Sequence, residues 1–133
     1  MNINWRAVVT GFVVAIALGA FVSWTGALTE TSVYLLALPG LVGGFVAGYM
    51  ATSVTENGMI HGGLATVIGG IVVLMILSLL TVFASPVAGV SIFVAGMIVL
   101  LLQAVPGAVG GAIGSYVNRR REPADVEVGK PAA

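Results

Sequence analysis

The chain contains no cysteine and only 8% charged residues. The first absence excludes disulfide scaffolds, cysteine-type zinc sites, iron–sulfur clusters and thiol nucleophiles. The second excludes an ordinary soluble domain, where roughly 25% of residues are charged. Five Lys and Arg balance five Asp and Glu, so no long-range field exists to attract nucleic acid or steer a charged substrate. Histidine occurs once, as His61. The remainder is apolar: 59% of the 133 residues are hydrophobic, and 19 more are glycine. Such a chain belongs in a lipid bilayer.

The few ionisable residues punctuate it. Between Ala7 and Val117 there is no Lys or Arg, and the only carboxylates are Glu30 and Glu56. The apolar runs Ala7–Trp24 and Val33–Ala51 each approach the ~20 residues that cross ~30 Å of hydrocarbon as a helix. From Gly62 to Val117 no Asp, Glu, Lys, Arg or His occurs, a stretch long enough for two crossings. Its break is expected at Ala84-Ser85-Pro86-Val87-Ala88-Gly89, where proline and glycine bracket small residues. The expected fold is therefore all-α: four transmembrane helices over about 7–28, 33–52, 60–83 and 90–117, forming one domain over 1–117. A basic and then disordered cytoplasmic tail is expected over 118–133.

Lys and Arg cluster on the cytoplasmic side of membrane proteins. Arg119, Arg120 and Arg121 follow the fourth span and Arg6 precedes the first, so both termini are expected in the cytoplasm of a multi-pass plasma-membrane protein. An even number of crossings agrees. Glu30 then lies outside, and Glu56 with Asn57-Gly58 forms an inner turn. Cleavage of a signal peptide after Ser23-Trp24-Thr25-Gly26-Ala27 is the weaker reading, because the first apolar run exceeds a signal h-region and its removal would leave an odd count. Trp5, Trp24, Tyr34, Tyr49 and Tyr116 fall near span ends, as an interfacial aromatic belt requires.

The segment Pro39-Gly40-Leu41-Val42-Gly43-Gly44-Phe45-Val46-Ala47-Gly48-Tyr49 is echoed by Pro106-Gly107-Ala108-Val109-Gly110-Gly111-Ala112-Ile113-Gly114-Ser115-Tyr116. Proline, the Gly-Gly pair and tyrosine coincide, which suggests two tandem helical hairpins related by a pseudo-repeat. Gly40, Gly44 and Gly48 recur every fourth residue, beside Gly43. Gly107, Gly111 and Ser115 do the same, beside Gly110 and Gly114. Positions spaced by four share one helix face, and faces without side-chain bulk let backbones approach where lipid removes any hydrophobic drive between helices. These glycines are the expected helix-packing residues, within the chain or between copies. Pro39 and Pro106 are expected to kink their helices.

Polar residues suited to chemistry are few. Gln103 is the one strongly polar side chain in the middle of a span; an interhelical hydrogen bond is its expected role, and a place on a polar path the sharper alternative. Thr10, Ser23, Thr66 and Ser78 can bond to carbonyls of their own helices. His61 has neither a second histidine nor a cysteine to complete a metal site. No set of nucleophile, base and orienting group can be assembled, so an enzyme is not expected, nor is a cofactor. Arg119, Arg120 and Arg121 hold topology and attract anionic headgroups. The expected partners are the bilayer itself and either a second copy or another membrane protein, with no nucleic acid.

The Trp5-Arg6-Ala7-Val8-Val9 opening, the segment from Gly43 to Ala51, and Gly58-Met59-Ile60-His61-Gly62-Gly63 together resemble a family of small four-helix membrane proteins found in archaea, particularly halophilic ones, and grouped as a domain of unknown function. The resemblance spans nearly the whole chain and implies the architecture without implying an activity. Small multidrug exporters are of similar size, but their membrane-embedded glutamate has no counterpart in the first span. Two functional readings follow: a structural or accessory membrane subunit packing through glycine-rich faces, or a small passive channel or permease for ions or small solutes. Topology is testable by single cysteines placed as Glu30→Cys, Asn57→Cys and Asp125→Cys. Only the first is expected to react with an impermeant maleimide applied from outside the cell.

Overall fold

The computed structural model describes residues 3–25, 33–51 and 54–121. They form four α-helices and no strand: α1 (Trp5–Trp24), α2 (Val33–Ala51), α3 (Thr55–Ala84) and α4 (Pro86–Arg121). Helices α1, α3 and α4 are long and apolar enough to cross a membrane, and the shorter stretch Ala37–Ala51 of α2 is apolar too. A run of side chains that offers the backbone no alternative partner leaves the helix as the one conformation that satisfies each N–H and C=O without water.

Local signals fix the helix ends. Asn4 caps α1, its side-chain oxygen accepting the Ala7 N–H at 3.3 Å, as a short polar N-cap does. The break between α3 and α4 is a single extended residue, Ser85. Its N–H donates to the Thr81 carbonyl at 2.8 Å, and its hydroxyl accepts the Ala88 N–H at 3.4 Å. Pro86 then opens α4, a position where the missing N–H would have no helical partner.

Four boundaries differ from the sequence-based expectation by four or five residues. Helix α1 ends at Trp24 rather than near residue 28; Glu30 and residues 26–32 lie outside the described residues, as does the tail over 122–133. Helix α3 begins at Thr55, so Glu56 and Asn57-Gly58 are helical and form no turn. Two forces override the Asn-Gly turn signal: a carboxylate in the first turn suits the helix dipole, and Gly58 is buried against α4. Helix α4 starts at Pro86 instead of 90, because Ser85 caps it, and runs through Arg121 instead of stopping at 117. Three arginines in its last turn face the negative end of the helix dipole. Pro39 and Pro106 both lie inside uninterrupted helices.

Helix α4 packs against α3 and α2, and α1 packs against α2 and α3; among the described residues α1 and α4 do not touch. The closest approaches lie at the end of the bundle that holds Gly48, Gly58 and Gly111. A Cβ on Gly44 would collide with the backbone of Gly107, and one on Gly48 with that of Gly111. Both residue numbers rise together, so α2 and α4 are parallel. From the other side, Gly62 meets the backbone of Gly107 and Gly111, and Gly58 lies where a Cβ would be 2.6 Å from the Gly111 carbonyl oxygen. Gly110 and Gly114 abut the Leu41 and Phe45 carbonyls of α2, while Gly43 and Gly11 bring α2 and α1 together, each leaving no room for a Cβ. Toward the α3–α4 turn, large side chains fill the glycine positions: Phe12 lies on Gly69, Leu100 on Gly70 and Leu74 on Gly96.

This geometry separates glycines that must be glycine from one that need not be. At Gly111 an added methyl would strike the Gly58 carbonyl, whereas at Gly63 it would rest 3.8 Å from the Ala108 Cβ, an ordinary contact. Gly111→Ala is expected to destabilise the bundle by about 1–3 kcal/mol, as overpacking does. Gly63→Ala is expected to be neutral or stabilising by up to ~1 kcal/mol through helix propensity. Thermal melting of the two variants in one detergent reads the difference.

Candidate functional site

Three groups of side chains stand out from the apolar background. The first ties the start of α1 to the start of α3. His61 is 2% exposed; its Nδ1–H donates to the Asn57 carbonyl at 2.6 Å, and its Nε2 accepts the Asn4 N–H at 2.9 Å. These partners select the neutral ring with the proton on Nδ1. A histidine without an evident role in the sequence is therefore a buried strut between helix ends 57 positions apart. Only the fold brings Asn4 within reach, so no local spacing could have announced it. Among the described residues no group of three His, Asp or Glu could hold a metal ion.

The second is a cleft of about 370 Å³ between the two helical hairpins, where α1 and α4 stand apart. Phe12 and Ile16 of α1 and Val99 of α4 flank it, Gly40 and Gly69 line it, and Gln103 is its most polar side chain. The interhelical hydrogen bond expected of Gln103 is not made, for among the described residues no partner meets its amide. The reason is local. The facing residue on α2 is Gly40, which has no side chain, and the neighbouring Thr66 hydroxyl already donates to the Gly62 and Gly63 carbonyls of its own helix, at 3.2 and 2.8 Å. Among the described residues no buried side-chain polar atom lacks a partner, so the Gln103 amide is one that the cleft reaches.

The third group caps the end of the bundle that also holds the histidine strut, where Gly58 packs on Ser115. Arg120 lies over the Tyr116 ring, 4.7 Å from its centroid, and donates to the Tyr116 hydroxyl. Arg121 reaches across to α2, its guanidinium 6.0 Å from the Tyr49 ring centroid and 3.4 Å from the Tyr49 hydroxyl. Arg119 is exposed beside them. An arginine stacked on tyrosine keeps its charge at the rim while the ring covers apolar surface. Trp5 and Trp24 stand at the two ends of α1, 58% and 91% exposed, whereas the side chain of Tyr34 is outside the described residues.

Smaller polar groups sort by partner. Thr10 and Ser23 bond to the Arg6 and Gly19 carbonyls of their own helix, at 2.8 and 2.9 Å. Ser78 does otherwise: its hydroxyl donates across to the Gly89 carbonyl of α4 at 2.9 Å, correcting the expectation of a bond within its helix. Gly89 lies against Val82 with no room for a side chain, and this closeness brings its carbonyl within range of α3. Of the sequence-marked glycines, Gly43, Gly44, Gly48, Gly107, Gly110, Gly111 and Gly114 sit at backbone contacts between helices, and Gly40 faces Gln103. Gly11, Gly58 and Gly62 were not marked, although they take part in the same seams.

The chain belongs to the family described as a family of unknown function (DUF5518), whose model matches residues 5–117. No curated protein and no solved structure matches it. The match covers α1, α2, α3 and all but the last turn of α4, and three of these helices are long and apolar enough to cross a membrane, which is consistent with a multi-pass membrane protein. Of the three groups, the histidine strut yields the most direct test. His61→Phe removes a donor and an acceptor while leaving the Asn4 N–H and Asn57 carbonyl in place, and is expected to lower stability by about 1–3 kcal/mol. Thermal unfolding in detergent checks this.

Proposed function

We propose that the chain is an accessory, non-catalytic subunit of the plasma membrane, crossing four times with both termini in the cytoplasm. The observation that carries this reading is the use of the glycine faces: Gly44, Gly48, Gly107 and Gly111 meet backbone of the same chain. The bundle thus has its own cohesion, and what it offers neighbours is a coat of apolar side chains such as Val9, Val13, Leu79 and Leu80, all more than half exposed. Such a coat is suited to acyl chains or to the apolar face of another membrane protein. Arg119, Arg120 and Arg121 at the end of α4 suit an anionic leaflet.

The cleft at Gln103 favours a second reading, a small passive channel or permease. Against it stands the seam just beyond Gln103, where Gly44, Gly62 and Gly107 meet at backbone distance and leave no path along the bundle axis. Flux decides between the two. Proteoliposomes holding the chain are expected to be no leakier to protons, potassium ions, water or glycerol than protein-free liposomes. A flux that Gln103→Leu abolishes would overturn the accessory reading in favour of the permease.

A further inference from the structure

We infer that the cleft at Gln103 is a binding site for a neutral, membrane-dissolved molecule that presents one carbonyl oxygen. The inference rests on the four-span placement and not on the accessory role. Cysteine labelling tests the placement separately.

The argument begins with depth. Gln103 stands 16 residues before Arg119 and 17 after Pro86, or about 24–26 Å along α4 from each at ~1.5 Å per residue. It therefore lies near the middle of the bilayer. Water is absent at that level, and an amide without a partner there is costly, so intramembrane polar groups are ordinarily paired. Among the described residues Gln103 has no hydrogen-bond partner. The acyl tail of a phospholipid could fill the volume but not the bonding need, because its ester carbonyls sit at the edge of the ~30 Å hydrocarbon core, about 15 Å away from the midplane. A neutral lipophile that dwells within the core can bring its own oxygen to that depth.

The chemistry of the ligand follows from the walls. Among the described residues no charged side chain lines the cleft, so no side chain there offsets the charge of an ion and a neutral ligand suits it better. The amide oxygen of Gln103 lies against Gly40 of α2, where a Cβ would be 3.1 Å from it, so a ligand is taken to approach the amide from its N–H side, whose complement is an acceptor. The ring of Phe12 and the side chains of Ile16 and Val99 give an apolar boundary to the rest of the molecule. About 370 Å³ falls in the range of pockets that enclose a small organic ligand. Because among the described residues no Cα of α1 comes within 8 Å of one in α4, the ligand can enter sideways from the lipid.

The test uses prodan, a neutral naphthyl ketone whose emission moves to the red when its carbonyl accepts a hydrogen bond. Titrated into nanodiscs carrying the protein, prodan is expected to show a saturable, red-shifted component of one site per chain that empty nanodiscs lack. Gln103→Leu, similar in size but without the donor, is expected to weaken that site about 10-fold, the effect of one neutral hydrogen bond, and to remove the red shift. Ile16→Trp, placed at a half-exposed wall, is expected to abolish binding while the melting temperature is retained. Absence of a saturable component in the wild type, or equal binding and equal emission by Gln103→Leu, overturns the inference. So does efficient disulfide cross-linking of Val99→Cys between copies, which would show that a second chain covers the cleft.

Discussion

Between helices in lipid the hydrophobic effect supplies almost no attraction, because an acyl tail solvates a leucine as well as another leucine does. Cohesion must come from contacts that lipid cannot imitate, and backbone lying on backbone is the closest of these. Here α4 carries that contact on two sides at once. Gly107 and Gly111 receive Gly44 and Gly48 of α2 from one direction and Gly62 and Gly58 of α3 from the other. The three helices are thereby locked in register at one end of the bundle. Helix α1 joins through Gly11 against Gly43 and through the histidine strut to Asn4.

The rest of the architecture follows from how far that contact extends. Past Gln103, large side chains replace backbone at the seams, with Leu100 on Gly70 and Leu74 on Gly96, so the α3–α4 hairpin closes on itself. A two-fold arrangement of the two hairpins would pair α4 with α1 as α2 pairs with α3. The described residues show the second pairing without the first. The cleft occupies the place of the missing contact. Its apolar lining and its unpartnered amide are consequences of an asymmetry in a chain whose second and fourth helices look alike in sequence.

Much of this was legible in the sequence, and the parts that were not share a cause. Glycines every fourth residue mark α2 and α4 because the period is local and any reader of 3.6-residue geometry can place them on one face. Gly58 has the same use, but the Asn57-Gly58 pair is a strong turn signal, and only the backbone of Gly111 on the far side explains why the helix persists through it. His61 depends on Asn4, and Ser78 on the Gly89 carbonyl across the turn; both partners are set by tertiary placement. Gln103 inverts the problem. A polar residue in an apolar span implies a partner, yet the residue opposite it is a glycine whose own reason for being there is close approach.

That last conflict bears on function more than any single contact does. A consistent sequence has each local choice agreeing with the fold, and departures gather where something other than stability is selected. By that criterion the seam of Gly44, Gly107 and Gly111 belongs to folding, since every feature there lowers the energy of the bundle. Gln103 does not belong with it: leucine at that position would fit the apolar walls without leaving an amide unpartnered in oil. Gln103, unpartnered among the described residues, thus lies where the helices separate, and the role of the chain is to be sought at that separation.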